Sequence, residues 1–439
     1  MNPREARSQK VLNAGAIFVL CLTALGCHGA DWPQYRGPTG DGIAPAQDLP
    51  LTWSATSNLA WKTSLPGRGR SSPVIMGNRI WLTTALETNP RKTIAGTDPV
   101  TVVDRAEVGV VCLARDTGKQ LYHVTLFRPE QPPPAHELNS FATPTSVIEA
   151  GRLYCDFGAF GTACLEADTG RVLWTNQITI DHQLAPASSP VVWKNLLLLV
   201  RDGRDRQFVA ALDKQTGRIV WQTDRPPIEA SSGNAKKSFS TPAVFEFGGR
   251  AQMVVPCAHW IVSYDPATGR ELWRVKHGTS FSIGPRPVFG HGLVYVLTGM
   301  SRQLWAIRPD GSGDVTKTHV AWKTEAVAGT MASPLLAGGE IYVVTDQGLV
   351  VCLDALTGAQ VGRRGTGGAV ASSPMLSGDR IYLFGRKGKG TVFRAGRELE
   401  VLAENELEGT LFTCPAAVEN ALYIRTDDAI YCVRAKHPD

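Results

Sequence analysis

Helical periodicity is nearly absent from this chain of 439 residues, which argues against helical bundles and against folds that alternate strands with helices. Charge is sparse as well. Asp, Glu, Lys and Arg make up 19% of the chain and leave a formal net charge of +5. Spread over this length, that excess is too small to imply a nucleic acid partner, and neither a recognition helix nor an aromatic RNA motif accompanies it. The nine cysteines include no adjacent pair, no CxxC and no CxxCH haem site. His136, His182 and His277 lack metal-ligand spacing, so no metal site is expected. No nucleophile elbow, phosphate loop or acid pair stands in a convincing context, so no catalytic residue is assigned.

What the chain has is 43% apolar residues, 44 glycines, 28 prolines and a repeat. Eight times a small residue and a proline open a short strand-like segment, at Pro73, Pro144, Pro190, Pro242, Pro287, Pro334, Pro374 and Pro415. From Pro144 onward the steps average roughly 45 residues, the period of a four-stranded propeller blade. Next comes an alternating strand such as RIWLTT, HGLVYVL or DRIYLFG, half-buried by its pattern. A second alternating strand runs into a turn, as in CLEADTGR and ALDKQTGR, where Gly118, Gly170, Gly217, Gly269 and Gly358 supply positive φ. The last strand of a unit usually carries an aromatic: Tyr122, Trp174, Trp221, Trp273 or Trp322. A Trp recurring in this way reads as a wedge between neighbouring units, each burial giving about 2 to 3 kcal/mol.

The repeats predict an all-β fold, an eight-bladed β-propeller of four-stranded blades over residues 58–439. The eighth unit supplies only three strands, the last being AIYCVRA. Its fourth is expected to be LAWKTSL (59–65), with Trp61 in the aromatic position. Closing the ring with this N-terminal strand in the C-terminal blade removes the sheet edges that would otherwise invite aggregation. Residues 27–57, including DWPQYRGPTGDG, form an arm expected to lie extended across the propeller surface. Two insertions, Glu87 to Gly109 and Arg128 to Ser140, lengthen connections of the kind that carry function on a rigid scaffold.

Residues 1–26 read as an export signal peptide: Arg4, Arg7 and Lys10 precede an apolar run from Val11 to Leu25. The run is too short to favour a permanent membrane span. It ends in TALGC, which resembles a bacterial lipoprotein signal with Cys27 lipidated, although Ala24 and Leu25 depart from the usual pattern. Lipidation and ordinary cleavage both fit, and the expected location is the periplasm or outer membrane, with the membrane reached only through such an anchor. Cys112, Cys164, Cys352 and Cys432 share one position on the third strand of a unit and read as small apolar filler. Cys155 and Cys164 flank a GAFG turn expected to set them opposite each other, and an oxidising compartment permits a disulfide there.

The Leu-Asp-x-x-Thr-Gly-x-x-x-Trp character of the units, as in Leu212, Asp213, Thr216, Gly217 and Trp221, resembles the pyrroloquinoline-quinone (PQQ) repeat family of eight-bladed propellers. The resemblance covers nearly all of residues 58–439. WPQYRGPTGDG also looks like the arm preceding such propellers in envelope proteins of planctomycete-type bacteria. Departures occur where PDGSG replaces the usual turn in the fifth unit and where TVFRAGRELEVL lacks both Thr-Gly and Trp in the seventh. Two branches of the family matter: quinoprotein alcohol or sugar dehydrogenases, and BamB-type lipoproteins of the outer-membrane assembly machinery. The enzyme branch implies PQQ with calcium, an aspartate base and a vicinal disulfide beneath the quinone. Lacking adjacent cysteines, this chain is expected to work without that cofactor.

In a propeller, the loops joining fourth to first strands and second to third strands emerge on one face. Those loops carry Arg68, Arg70, Arg201, Arg204, Arg206, Lys236, Lys237, Arg286, Arg363, Arg364, Arg386, Lys387 and Lys389, beside the acids Asp202, Asp205, Glu229, Glu404, Glu406 and Glu408. Either the face forms an electropositive mouth for an anionic ligand or acidic partner, or these are ordinary loop charges. Arg286 is the sharpest candidate, because GPRPV puts it where other units carry Ser or Thr. His259 and Trp260 are expected to line the same mouth, with a structural histidine as the plainer reading. The function implied is a non-catalytic binding or assembly scaffold with an envelope protein as partner, and a PQQ-dependent dehydrogenase is the alternative.

Overall fold

The computed structural model describes residues 31–45 and 48–435, so the export signal and Cys27 lie outside the described residues. It contains eight sheets with a four-stranded antiparallel core, whose first strands begin at Val74, Val147, Val191, Ala243, Val288, Leu335, Met375 and Ala416. In the eighth sheet Leu59–Ser64 pairs with Ala429–Arg434, and the first strands of blades one and eight touch. The fold is therefore the eight-bladed propeller expected, with its seam in the last blade. The proline rule slips once. Val147 stands level with Val74 and Val191 in its sheet, so blade two has Ser146 where the others have proline, and Pro144 lies two residues upstream.

The residue two positions before each first strand links one blade to the next, except from blade four to blade five. Backbone N–H groups of Ser72, Thr145 and Ser189 donate to the hydroxyls of Thr145, Ser189 and Thr241 at 2.9, 2.9 and 3.0 Å. The same contact runs from Arg286 to Ser333 and from Ser333 to Ser373, both at 2.9 Å. It continues from Ser373 to the Cys414 sulfur at 3.3 Å and from Cys414 to Ser72 at 3.1 Å. The junction of blades four and five alone lacks the link, because Arg286 has no side-chain acceptor to offer Thr241.

The Trp wedge is real and is coupled to the turn glycine. Trp61, Trp174, Trp221 and Trp322 donate their indole N–H to carbonyls of Arg115, Lys214, Pro266 and Ala355 in the turn of the following blade, at 3.1 to 3.2 Å. A Cβ on Gly217 or Gly358 would stand 2.5 or 2.6 Å from the Trp174 or Trp322 ring, so the glycine provides room for the indole as well as φ near +73° (+72° and +74°).

Where the repeat departs, other residues substitute. Blade five has no Thr-Gly turn, and Trp273 of blade four turns inward to donate to Gln252 Oε1 at 2.8 Å. Gln252 Nε2 passes the contact on to the Pro309 carbonyl at 2.8 Å. The last glycine of PDGSG opens Gly313–Asp314, an extra parallel strand on blade four. Blade seven carries Ala403 in the wedge position, and Trp53 of the arm packs there instead, 5.7 Å from the Phe384 ring and 6.4 Å from Tyr382. Asn405 fixes it by accepting the Trp53 backbone N–H at 2.7 Å and donating to the Leu51 carbonyl at 3.1 Å.

Two expectations are corrected. Residues 31–45 of the arm do not lie across the surface; they fill the central channel. Trp32 bridges Ile75 of blade one, Pro33 accepts from Ile148 of blade two, and Gly42 accepts from Leu376 of blade seven. Arg36 reaches the carbonyls of Ser333 and Pro334 in blade six, and Arg286 of blade five donates to the Tyr35 carbonyl at 3.1 Å. Trp32 and Arg36 are each only 1% exposed, the aromatic and guanidinium content of the arm being spent on burial rather than on solvent. The disulfide is absent: Cys155 and Cys164 are free and buried. Cys155 pairs with Ala163, and Cys164 with Tyr154, so this register puts the two sulfurs on opposite faces of the sheet, in separate core clusters. Cys164, Cys112 and Cys432 sit instead directly across from Trp174, Tyr122 and Trp61, where a small residue makes room for the aromatic.

Candidate functional site

The face where the first strands begin is where the two insertions lie. Arg91–Ala95, Asp98–Val102 and Ala135–His136 form a small three-stranded sheet there. The candidate cations divide into three groups. Arg68, Arg70, Arg386 and Lys387 gather at blades eight, one and seven around Phe412. The guanidinium carbons of Arg70 and Arg386 lie over the Phe412 ring, 3.5 and 4.9 Å from its centroid. Arg70 forks onto Asp427 at 3.1 and 3.2 Å, with Arg68 3.8 Å away on the same carboxylate. Burial lowers the Arg70 pKa, against the pull of Asp427, and raises that of the nearby Glu87 carboxyl. Beside them runs an open groove lined by Trp53, Arg386, Lys387, Lys389, Glu404 and Asn405. Lys389 pairs with Glu404 at 2.8 Å, whereas no carboxylate oxygen lies within 4.0 Å of Arg386 or Lys387 among the described residues.

The second group lies over blades two to four. Arg201 is not a surface residue: it is 1% exposed and forks onto Asp156 at 2.7 and 2.9 Å. Its neighbour Asp202 is held by Arg225 at 2.9 and 3.0 Å, fully buried. Arg204 faces Asp181 at 3.6 Å, and Lys236 closes a short turn at Gly233–Lys236. Lys237 is 1% exposed and donates to the Gln183 carbonyl at 3.3 Å, with its pKa pushed down to about 8 by burial. That carbonyl belongs to a loop in which Leu184 and Ala185 both adopt positive φ, 83° and 69°, held by the inserted strand at Ala135–His136.

The remaining candidates are displaced from the mouth. Arg286 sits in the channel against the arm, Trp260 is a strand residue donating to the Pro227 carbonyl, and Arg363 and Arg364 belong to the fourth strand of blade six. His259 occupies a tight turn at φ +68° with 4% exposure. The sequence reading missed Phe412, Asp427, Trp53 and Tyr35. An aromatic in the connection GTLFTCP was the one available signal for Phe412.

Burial also sets a pH response. His182 and His277 are pushed down to about 4 by desolvation. Unfolded histidine takes its proton near 6.5, so between those values the unfolded chain binds more protons and stability falls as pH drops from about 6.5 towards 4. The expected loss is on the order of a few kcal/mol. Melting scans across that range should show it, and a H182Q/H277Q double variant should show a flatter slope. Equal slopes would mean that other groups set the response.

The family model described as outer membrane protein assembly factor BamB matches residues 105–256 and 258–400. The chain belongs to this PQQ-repeat family. A BamB of Legionella pneumophila is 24% identical over 207 residues, 47% of this chain and 50% of the relative. A tetrathionate hydrolase of Acidithiobacillus ferrooxidans is 21% identical over 350 residues, 75% of this chain and 65% of the relative. The chain thus spans from about half to two thirds of the length of these relatives. Among solved structures, a europium-containing methanol dehydrogenase superposes with a TM-score of 0.64 at 12% identity, covering 91% of this chain and 90% of the dehydrogenase. At that identity the likeness is one of fold. BamB-type and dehydrogenase-type propellers therefore share this architecture, and the blades alone do not choose between them.

Proposed function

We propose that this propeller is an exported, non-catalytic scaffold of the bacterial envelope, in the periplasm or at the outer membrane, that binds another envelope protein. The observation that carries this reading is the channel occupied by the protein's own arm, with Tyr35 held by Arg286 of blade five and Arg36 by the Pro334 carbonyl of blade six. Recognition of a protein partner is then left to the outer face. Beside Phe412 the groove offers an aromatic ring and the cations Arg386 and Lys387, which have no ion-pair partner among the described residues, a combination suited to an acidic segment carrying an apolar side chain. On this reading the protein works without bound quinone. The BamB relative supports a protein partner at the level of the family, and its role in assembly is proposed here by analogy.

The test is site-specific photocrosslinking in intact cells from position 412, with position 78 in a turn of blade one on the opposite face as control. One discrete adduct is expected from position 412 and none from position 78. An R386E/K387E variant is expected to lose most of it, at least fivefold. A calorimetric titration with PQQ and calcium separates the dehydrogenase reading: one-to-one binding at micromolar affinity or tighter would sink the proposal.

A further inference from the structure

We propose that the central channel holds a small oxyanion or carboxylate against Arg286, in a site completed by Arg36 and Tyr35 of the arm. The site is distinct from the outer groove and does not depend on what binds there. Arg286 is 4% exposed and Arg36 1% exposed, and they meet around one residue: the Arg286 backbone N–H donates to Ser333 Oγ, while Arg36 Nη1 lies 3.5 Å from the Ser333 carbonyl. Among the described residues each guanidinium donates only to carbonyl oxygens. Arg286 Nη1 donates to Tyr35, and Arg36 Nη2 donates to Pro334 and Asp41. The Nε of both finds no acceptor.

Among the described residues no carboxylate oxygen lies within 4.0 Å of either guanidinium. Asp41, whose charge acts on Arg286, has its Oδ1 engaged by the Thr39 hydroxyl at 2.6 Å and the Ile43 N–H at 3.0 Å. Two like charges buried side by side without a counter-charge cost several kcal/mol unless an anion joins them. The side chains supply donors for one: guanidinium N–H groups fit the paired oxygens of a carboxylate or tetrahedral oxyanion. Tyr35 adds a hydroxyl, lying no closer than 3.5 Å to Ser373 Oγ and 4.0 Å to Cys414 Sγ. Burial raises its pKa to about 12, so it stays protonated and able to donate. The place where the Ser/Thr ring is interrupted is thus the place where a cation faces the axis.

The repeat provides its own control. An R286S variant installs the residue type that closes the ring in other blades, giving Thr241 an acceptor, so it is expected to fold. Sodium sulfate is titrated at millimolar concentration against sodium chloride at equal ionic strength, with melting temperature as readout. Wild type should show a saturable rise of roughly 2 to 5 °C, R286S none, and R286K a reduced rise. Wild-type crystals soaked in sodium selenate should show an anomalous peak within hydrogen-bonding distance of the Arg286 guanidinium. A sulfate response identical in wild type and R286S would overturn the proposal, as would a channel without selenate, which would mean that ordered water serves the two guanidiniums.

Discussion

A protein beginning at Pro66 is expected to lose cooperative unfolding altogether. The deletion removes Leu59–Ser64, the fourth strand of blade eight, together with the Trp61 wedge against the turn of blade one. It also removes Trp53 from between blades seven and eight and empties the channel of Trp32, Tyr35 and Arg36. Loss of a buried Trp alone costs about 3 to 5 kcal/mol, and the buried Trp32 and Trp53 are lost here together with the half-buried Trp61, against a total stability of about 5 to 15 kcal/mol for a typical domain. The strand Ala429–Arg434 would at the same time become an open edge rich in apolar residues. Calorimetry and size-exclusion chromatography should show no two-state transition and extensive aggregation. A single sharp transition close to that of the full chain would refute the closure.

The second large effect is expected from Arg225→Ala. Arg225 forks onto Asp202, whose side chain is 0% exposed, and also reaches the Val255 carbonyl at 3.2 Å. Removing one partner of a buried pair leaves the other as an uncompensated charge, costing about 3 to 5 kcal/mol. The melting temperature should fall by roughly 5 to 10 °C at pH 8. Burial already raises the Asp202 pKa with Arg225 in place, and removing Arg225 raises it further. A carboxyl with a raised folded-state pKa destabilises the fold when ionised. The deficit of the variant relative to wild type should therefore shrink as pH falls through that pKa, and adding Asp202→Asn should recover most of it at pH 8. A deficit independent of pH would mean that lost packing around Arg225 dominates.

Much of this fold was legible because the repeat states it eight times. A turn glycine and a wedge Trp each carry a clear local meaning, and Trp61 before the first blade pointed to the seam. What escaped were contacts between residues far apart in sequence that belong to no repeat. Nothing in DWPQYRG distinguishes an arm lying on a surface from one threaded through a channel, since both need prolines and aromatics. Arg286 was correctly singled out as a break in the pattern, but its direction into the channel depends on Tyr35, some 250 residues earlier (|i−j| = 251). The Cys155 and Cys164 pairing failed by a single residue of register, set by the short turn at Gly158–Phe160 that pattern alone does not size. The basic loop residues were read as one class, although the half-buried Asp427 and the fully buried Asp156 neutralise Arg70 and Arg201 among them.

The seam also dictates an order of events. Leu59–Ser64 leaves the ribosome early, yet its partner Ala429–Arg434 is among the last segments made, so the ring's final contact joins residues more than 360 positions apart (Ser64 and Ala429, a separation of 365). Closing so long a loop is entropically late, and topologies dominated by such distant contacts fold slowly. Until then the earliest strand stays unpaired while blades one to seven can already stack. The arm must find its channel within the same interval, because a completed ring would have to be threaded. Slow, all-at-once closure of this kind makes the interval between synthesis and closure the period of greatest exposure to proteases and to mispairing with a second copy.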